Sequence, residues 1–314
     1  MTSVKGLKSN CEIPAIAAPM FLVSGRELVI ETCKAGVIGT FPALNARPIE
    51  KLDQWINEIK SAIESERALN PTKKVADYGV NLIVHKSNTR REEDLEMIIK
   101  HKVPLVITSV GHPGRFVEKI HSYGGIVFHD VISVRHAKSA IKACVDGLIL
   151  VCNGAGGHAG TQNPFALLPQ IREFYDGTII LAGAISNGRS IRAAEVLGAD
   201  FAYLGTRFIA TKESYAMGGY KEMLEECDAS DIVYTNKVSG INANFMAPSL
   251  LQNGIDAGGD FPKPEINMDK TRDDDEAKAW KTVWSAGQGV GEIHDCPPVK
   301  ELVENLIKEY KDAS

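Results

Sequence analysis

Three observations predict an α/β fold, a (β/α)8 barrel with a small helical insertion after its eighth strand. Eight short runs of apolar, often β-branched residues alternate with amphipathic stretches between about residues 13 and 210. The runs lack strict apolar–polar alternation, as expected of parallel strands covered on both faces. The first run ends Ala18-Pro19-Met20-Phe21, without the Gly-rich turn that an open dinucleotide-binding sheet carries at that point. Eight strand–helix units over some 200 residues are the arithmetic of a closed barrel.

The strand runs are 15–20, 36–41, 78–84, 103–110, 126–132, 147–153, 178–185 and 201–208. All are too short for core helices. The helical stretches between them are 26–35, 49–65, 91–101, 114–122, 134–143, 165–174 and 190–197. Several open on a cap or an early proline, such as Asn163-Pro164. The rhythm breaks at about residue 211. Residues 215–227 and 241–252 read as two helices, followed by a segment, 254–279, rich in Gly, Pro and charge. Its acidic run Asp273-Asp274-Asp275-Glu276 reads as a solvated loop. Regular structure resumes at 280–291 and in a last amphipathic helix at 298–310. The barrel is therefore expected from 1–210 and 280–314, with 211–279 as a helical cap over its mouth. Trp280 and Trp284, four apart, read as packing residues.

Composition excludes several classes. The 314 residues carry 35 Lys+Arg and 40 Asp+Glu, a net charge of −5, so no global field attracts nucleic acid or an anionic membrane. No apolar run is long enough to span a bilayer. The N-terminus lacks the apolar core of a secretory signal. The six cysteines (Cys11, Cys33, Cys144, Cys152, Cys227, Cys296) form no C-x-x-C pair and no metal-spaced cluster with histidine. Free thiols, a cytoplasmic location and the absence of a metal are expected. A homodimer is the default for a soluble enzyme of this kind.

In a barrel the working residues lie at the C-terminal ends of the strands. Those ends are Ala18-Pro19-Met20, Phe41-Pro42-Ala43, Asn81, Ser109, His129-Asp130, Asn153 through His158, Gly183-Ala184 and Gly205-Thr206. The densest is Asn153-Gly154-Ala155-Gly156-Gly157-His158-Ala159-Gly160. Its small residues admit a ligand to the backbone, and its histidine reads as a catalytic base or a hydrogen-bond donor. The loops after runs seven and eight, with Gly183, Ala184, Gly205 and the Thr206 hydroxyl, fall where barrels commonly hold a phosphate. No Ser-His-Asp elbow, Walker loop or zinc motif is present.

These features together resemble the nitronate monooxygenase (2-nitropropane dioxygenase) family of FMN-dependent TIM barrels. That superfamily also holds flavin enoyl-acyl-carrier-protein reductases and NADH:quinone reductases. The carriers are Ala18-Pro19-Met20, Gly79-Val80-Asn81-Leu82, Val134-Arg135-His136-Ala137-Lys138 and Ala155 through Gly160. They continue in Gly198-Ala199-Asp200 with Gly205-Thr206-Arg207-Phe208, and in Trp284 through Gly289. The resemblance implies FMN as cofactor. Ala18, Pro19, Met20, Asn81, Gly156 and Gly157 would line the flavin, and Gly183, Ala184, Gly205 and Thr206 would hold its phosphate. His158 matches the catalytic histidine, and His129, Asn153 and Gln288 would serve substrate or close the site. Asp130 stands beside the flavin where relatives often carry Lys, and Val151 and Gly154 also depart from the common pattern. The implied reaction is oxidation of an alkyl nitronate with O2 to a carbonyl compound and nitrite. The alternatives are an NAD(P)H-dependent flavin reductase of quinones or enoyl thioesters, and a flavin-binding module without turnover.

Overall fold

The structure, a computed structural model, describes residues 3–256 and 281–313. Eight parallel strands close into a barrel: β1 (Ala15–Ala17), β2 (Ile38–Pro42), β3 (Tyr78–Ile83), β4 (Leu105–Ser109), β5 (Ile126–Val131), β6 (Gly147–Val151), β8 (Thr178–Ala182) and β9 (Phe201–Leu204). The ring closes where β1 pairs with both β2 and β9, so Ile16 lies between Ile38 and Tyr203. Each strand matches one predicted run. Seven of the predicted ends overshoot by one to four residues at the C-terminal rim, where the run of mostly apolar residues continues past the last ladder bond, and the second stops one short of Pro42.

Helices follow most strands: α1 (Val4–Ser9), α2 (Arg26–Lys34), α3 (Ile49–Leu69), α4 (Arg91–His101), α5 (Gly114–His121), α6 (Val134–Lys142), α7 (Pro164–Arg172) and α8 (Gly188–Leu197). Several start as the sequence predicts. Ser133 caps α6, Asn163 caps α7 ahead of Pro164, and Asn187 and Ser190 cap each other's backbone at α8. α9 (Thr206–Ile209), α10 (Gly218–Glu226) and α11 (Ala247–Gln252) come next, and α12 (Val299–Asp312) ends the chain. α12 packs on α8 and α2 and so completes the outer ring of helices.

Two apolar layers result. Ile16, Ile38, Leu105, Ile107, Phe128, Ile149, Ile180 and Phe201 fill the barrel interior, and Leu7 and Cys11 plug its lower end. Phe128 packs its ring 6.4 Å from that of Phe201. It has room only because Gly147 carries no side chain: a Cβ there would lie 2.6 Å from the Phe128 ring. The second layer joins the outer face of the sheet to the helices. Each fully buried side chain of this size contributes about 1.5–3 kcal/mol.

The segment after β9 differs from its expected form. Residues 241–252 are not one helix but a strand, β11 (Ala243–Met246), followed by α11. Pro248 is the reason: proline suits a first helical turn and blocks continuation of a helix through it. β11 pairs antiparallel with β10 (Ile232–Thr235) and with β7 (Gly157–His158), a three-stranded sheet outside the barrel. The part of the insertion seen here thus mixes strand and helix. The loop at 257–279, its acidic run and Trp280 lie outside the described residues. Trp284 stacks on Tyr220 with ring centroids 5.2 Å apart and planes 4° from parallel.

Gly188 marks the seam between α8 and α12. A Cβ at Gly188 would lie 2.3 Å from Leu306 O and from Tyr310 N, both backbone atoms that cannot rotate away. Gly188→Ala is expected to destabilise the protein by about 1–3 kcal/mol. Gly218→Ala, where the nearest atom is a flexible Glu222 oxygen at 3.9 Å, is expected to change stability by no more than about 0.5 kcal/mol. Paired urea titrations measure both, and equal stability of the two variants would refute the close seam.

Candidate functional site

At the C-terminal rim the strand ends enclose one large cavity, with about 1530 Å³ of empty space counting its open mouth. Of the predicted site residues, Ala18, Pro19, Met20, Asn81, Asp130, Gly156, Gly157, His158, Gly183, Ala184, Gly205 and Thr206 all line it. His129, Asn153 and Gln288 do not.

Each exception has a physical reason. Side chains alternate along a strand, so Phe128 and Asp130 point into the barrel and His129 points out. There its Nδ1 meets Thr108 Oγ1 at 2.8 Å, and burial pulls its pKa down to about 4. Asn153 is exposed beyond the rim. Gln288 is exposed as well, and acts through its backbone, donating from N to Gly154 O at 2.9 Å.

The histidine loop is fixed from three sides. β11 pairs Ala243 with His158 and Asn244 with Gly157. Asn244 is buried, and its Nδ2 donates to Ala155 O at 2.7 Å. From the other side the 285–289 segment presses close: a Cβ on Gly156 would lie 2.9 Å from Gly287 N. Gly154 adopts φ +85° and Gly157 φ +67°, backbone conformations that favour glycine. His158 therefore faces the cavity from an ordered platform, its Nε2 3.4 Å from Ser239 Oγ. Burial pulls its pKa down to about 4, so the imidazole is neutral at physiological pH.

Against the start of the histidine loop, where Ala184 N donates to Gly154 O at 3.3 Å, Gly183 (φ +134°) and Ala184 (φ +53°) are consecutive residues of positive φ. Val110, at the end of β4, has φ +54°. Such strain in an L residue persists where the surroundings enforce it, and it clusters at binding sites. Thr206 Oγ1 accepts from Gly287 N at 2.9 Å, which leaves its own proton to donate. Gly205 meets no crowding: a Cβ there would find only Ala18 Cβ at 3.8 Å and Met20 Sδ at 3.9 Å. Packing of the protein does not demand glycine at this position.

The barrel floor is polar. Asn81 Nδ2 donates to Ser109 Oγ at 2.7 Å and to Ile107 O at 3.0 Å. Asp130 Oδ1 is buried with no hydrogen-bond partner among the described residues. Burial pushes the Asp130 carboxyl up to about 7. None of the lining residues is Lys or Arg. Arg207, beside Thr206, turns away to pair with Asp295. Cys152 lies just behind the rim, fully buried, its thiol pushed up to about 12 by desolvation, and is chemically inert.

Tyr203 and Tyr220 also line the cavity and were not singled out from sequence. Ser285, Gly287 and Gly289 line it too, in the 284–289 segment that the resemblance marked, where Gln288 was named instead. Tyr203 was findable, since it stands two residues before Gly205 on the same strand face. Tyr220 was not, because the insertion carries no barrel periodicity.

Comparison with known proteins decides the family. The nitronate monooxygenase family model matches residues 3–309. The chain belongs to the nitronate monooxygenase family. A nitronate monooxygenase of Neurospora crassa is 28% identical over 344 residues, covering 95% of this chain and 89% of that one. A 5-hydroxy-7a-methyl-1-oxo-octahydro-1H-indene-4-carboxyl-CoA dehydrogenase of Rhodococcus jostii is 25% identical, covering 79% of this chain. The match spans just under two thirds of that relative's length, 66%. Among solved structures, nitroalkane oxidase from Streptomyces ansochromogenes superposes with a TM-score of 0.80, at 24% identity and 98% coverage of both chains. That likeness establishes the shared fold. The family and these relatives are named for oxidoreductase activities. No helix among the described residues is long and apolar enough to cross a membrane.

Proposed function

We propose that this oxidoreductase binds FMN across the barrel rim and oxidises alkyl nitronates with O2 to a carbonyl compound and nitrite. The observation that carries the reading is His158, a neutral imidazole held on a fixed platform at the mouth of a large cavity that no lysine or arginine lines among the described residues. Three features of the cavity fit the cofactor. Gly205 leaves open the space a Cβ would fill, the Thr206 hydroxyl has a proton to give, and the floor presents Asn81, Ser109 and Asp130 to a polar ring edge. Gly183, Ala184, Gly205 and Thr206 would hold the phosphate, and Ala18, Pro19, Met20, Asn81, Gly156 and Gly157 would line the ring. Bound flavin supplies the electron acceptance and the reaction with O2, chemistry that no side chain here provides.

The side chains orient and shield the substrate. A neutral His158 donates N–H to a nitronate oxygen without needing to change charge. An imidazole whose pKa lies near 4 is a weak base, so a preformed nitronate is favoured over a neutral nitroalkane whose C–H must be broken. Val23, Leu44, Ile83, Val110, Ile209 and Val283 form apolar walls that exclude water above the floor. Those same walls favour a second reading, an NAD(P)H-dependent flavin reductase of a quinone or an enoyl thioester.

Visible absorbance separates the readings. The purified protein is expected to show flavin bands, to bleach on anaerobic addition of a nitronate, and to release nitrite once O2 is admitted. Bleaching by NADH with no response to nitronate would establish the reductase. A colourless protein that cannot be reconstituted with FMN would refute both. Gly205→Ala is expected to melt as the parent does and to bind FMN about 5- to 150-fold more weakly, from about 1–3 kcal/mol of crowding by the added methyl. His158→Ala is expected to keep the flavin spectrum and to lower kcat/KM for a nitronate by about 10²–10⁴.

A further inference from the structure

Among the described residues, Asp130 is the one acidic side chain that lines the cavity. It points inward from β5 into the layer formed by Asn81, Ser109, Val151 and Tyr203. One of its oxygens is buried and unpartnered. In a structure this well satisfied, an orphaned buried carboxyl oxygen calls for a missing partner. Among the described residues no Lys or Arg lines the cavity to supply a cation for that role.

Each described element around Asp130 presents it with a neutral group. β4 presents Ser109 beside it, and β6 presents Ile149 and Val151, none of them titratable. β3 adds the neutral Asn81. Tyr203 faces it from β9, with a phenol that burial holds well above its ordinary pKa and hence neutral. His158 opens into the same cavity and is also neutral. His129, on its own strand, lies on the other side of the sheet against Thr108. Among the described residues no fixed charge therefore opposes or assists ionisation, and desolvation governs it.

Resting on the flavin reading above, we propose that Asp130 is a positioning residue that meets bound flavin as the neutral carboxylic acid and donates its O–H to it. A ligand that covers the cavity removes the water that could stabilise the carboxylate. Flavin carries ring carbonyl and imine acceptors suited to an O–H donor, whereas a carboxylate would meet those acceptors with like charge. Binding therefore favours the protonated form, and any proton that is missing comes from solvent. No redox step is involved.

The sign of the linkage follows. Below about pH 7 the carboxyl is already protonated in the empty protein, and affinity does not vary through this group. Above that pH, binding must bring a proton with it, and affinity falls by up to about tenfold per pH unit. The FMN phosphate has its own ionisation near pH 6, so riboflavin, which lacks it, is the cleaner probe.

The test titrates apoprotein with riboflavin and with FMN between about pH 6 and 9, for the parent, Asp130→Asn and Asp130→Glu. Fluorescence reads the binding. The parent is expected to lose affinity for both ligands as pH rises through neutrality, Asp130→Asn to show a flat riboflavin profile, and Asp130→Glu to restore the slope. Carbon NMR of the parent apoprotein, labelled at aspartate carboxyls, is expected to show one aspartate titrating near neutrality, and needs no variant to fold. Flavin binding with the same pH profile in parent and Asp130→Asn would overturn the role of Asp130 and leave the flavin reading standing. The absence of any aspartate titrating near neutrality would overturn it too. A near-neutral aspartate in a protein that binds neither ligand would overturn the flavin reading, and with it the contact proposed for Asp130.

Discussion

The structure depends on one constraint: a parallel sheet has no face it can leave to water, and no edge it can leave unpaired. Closing β1 against β9 removes both edges at once, and α2 through α8 with α12 cover the outer face. The inner face must then fill itself. Ile16, Ile107, Phe128, Ile149 and Phe201 do so at the lower levels, which confines polar groups to the last turn of each strand. The site is a consequence of this geometry. Parallel strands all end on the same rim, so Asn81, Ser109, Asp130, Gly183 and Gly205, separated by up to 124 positions in sequence, reach one cavity.

The rim alone would not hold His158 still. Its loop is too rich in glycine to order itself, because glycine loses the most backbone freedom on folding. The order comes from outside the barrel, through the pairing of β7 with β11 and the bond from Asn244 to Ala155. The insertion is therefore part of the site's architecture. It supplies the second strand of the platform, while the 285–289 segment closes the opposite side against Gly154 and Gly156. The barrel provides position, and the appended sheet provides rigidity.

What was legible in the sequence followed from periodicity, and what was hidden lay beyond its reach. Eight buried strands announce themselves as apolar runs, so the barrel and its rim residues could be read directly. Their C-terminal limits could not, because Pro19, Met20 and Val110 continue the apolar composition after the ladder has ended. His129 was assigned to the site although strand alternation, applied to Phe128 and Asp130, turns it outward. The helix expected at 241–252 ignored Pro248, which separates β11 from α11. Asn244 was illegible for a different reason. It acts through a contact 89 positions away, and nothing local to Asn244 reports its partner.

The electrostatics of the cavity draw these features together. A site for an anionic ligand commonly holds a cation, but none of the described lining residues is Lys or Arg, and Arg207, next to Thr206, pairs with Asp295. On the flavin reading, a cofactor phosphate would rely on backbone N–H groups and the Thr206 hydroxyl, and such dipoles act only when held at fixed orientation. The positive φ of Gly183 and Ala184 fits that demand, because a left-handed turn aims peptide groups in a direction that an ordinary turn cannot. The same shortage of positive charge among the described residues leaves Asp130 without a counter-ion. Its neutralisation by a proton is cheaper than burial as an anion. A cavity built this way carries little fixed charge of its own, and its ligand preference rests on hydrogen-bond geometry and on the exclusion of water.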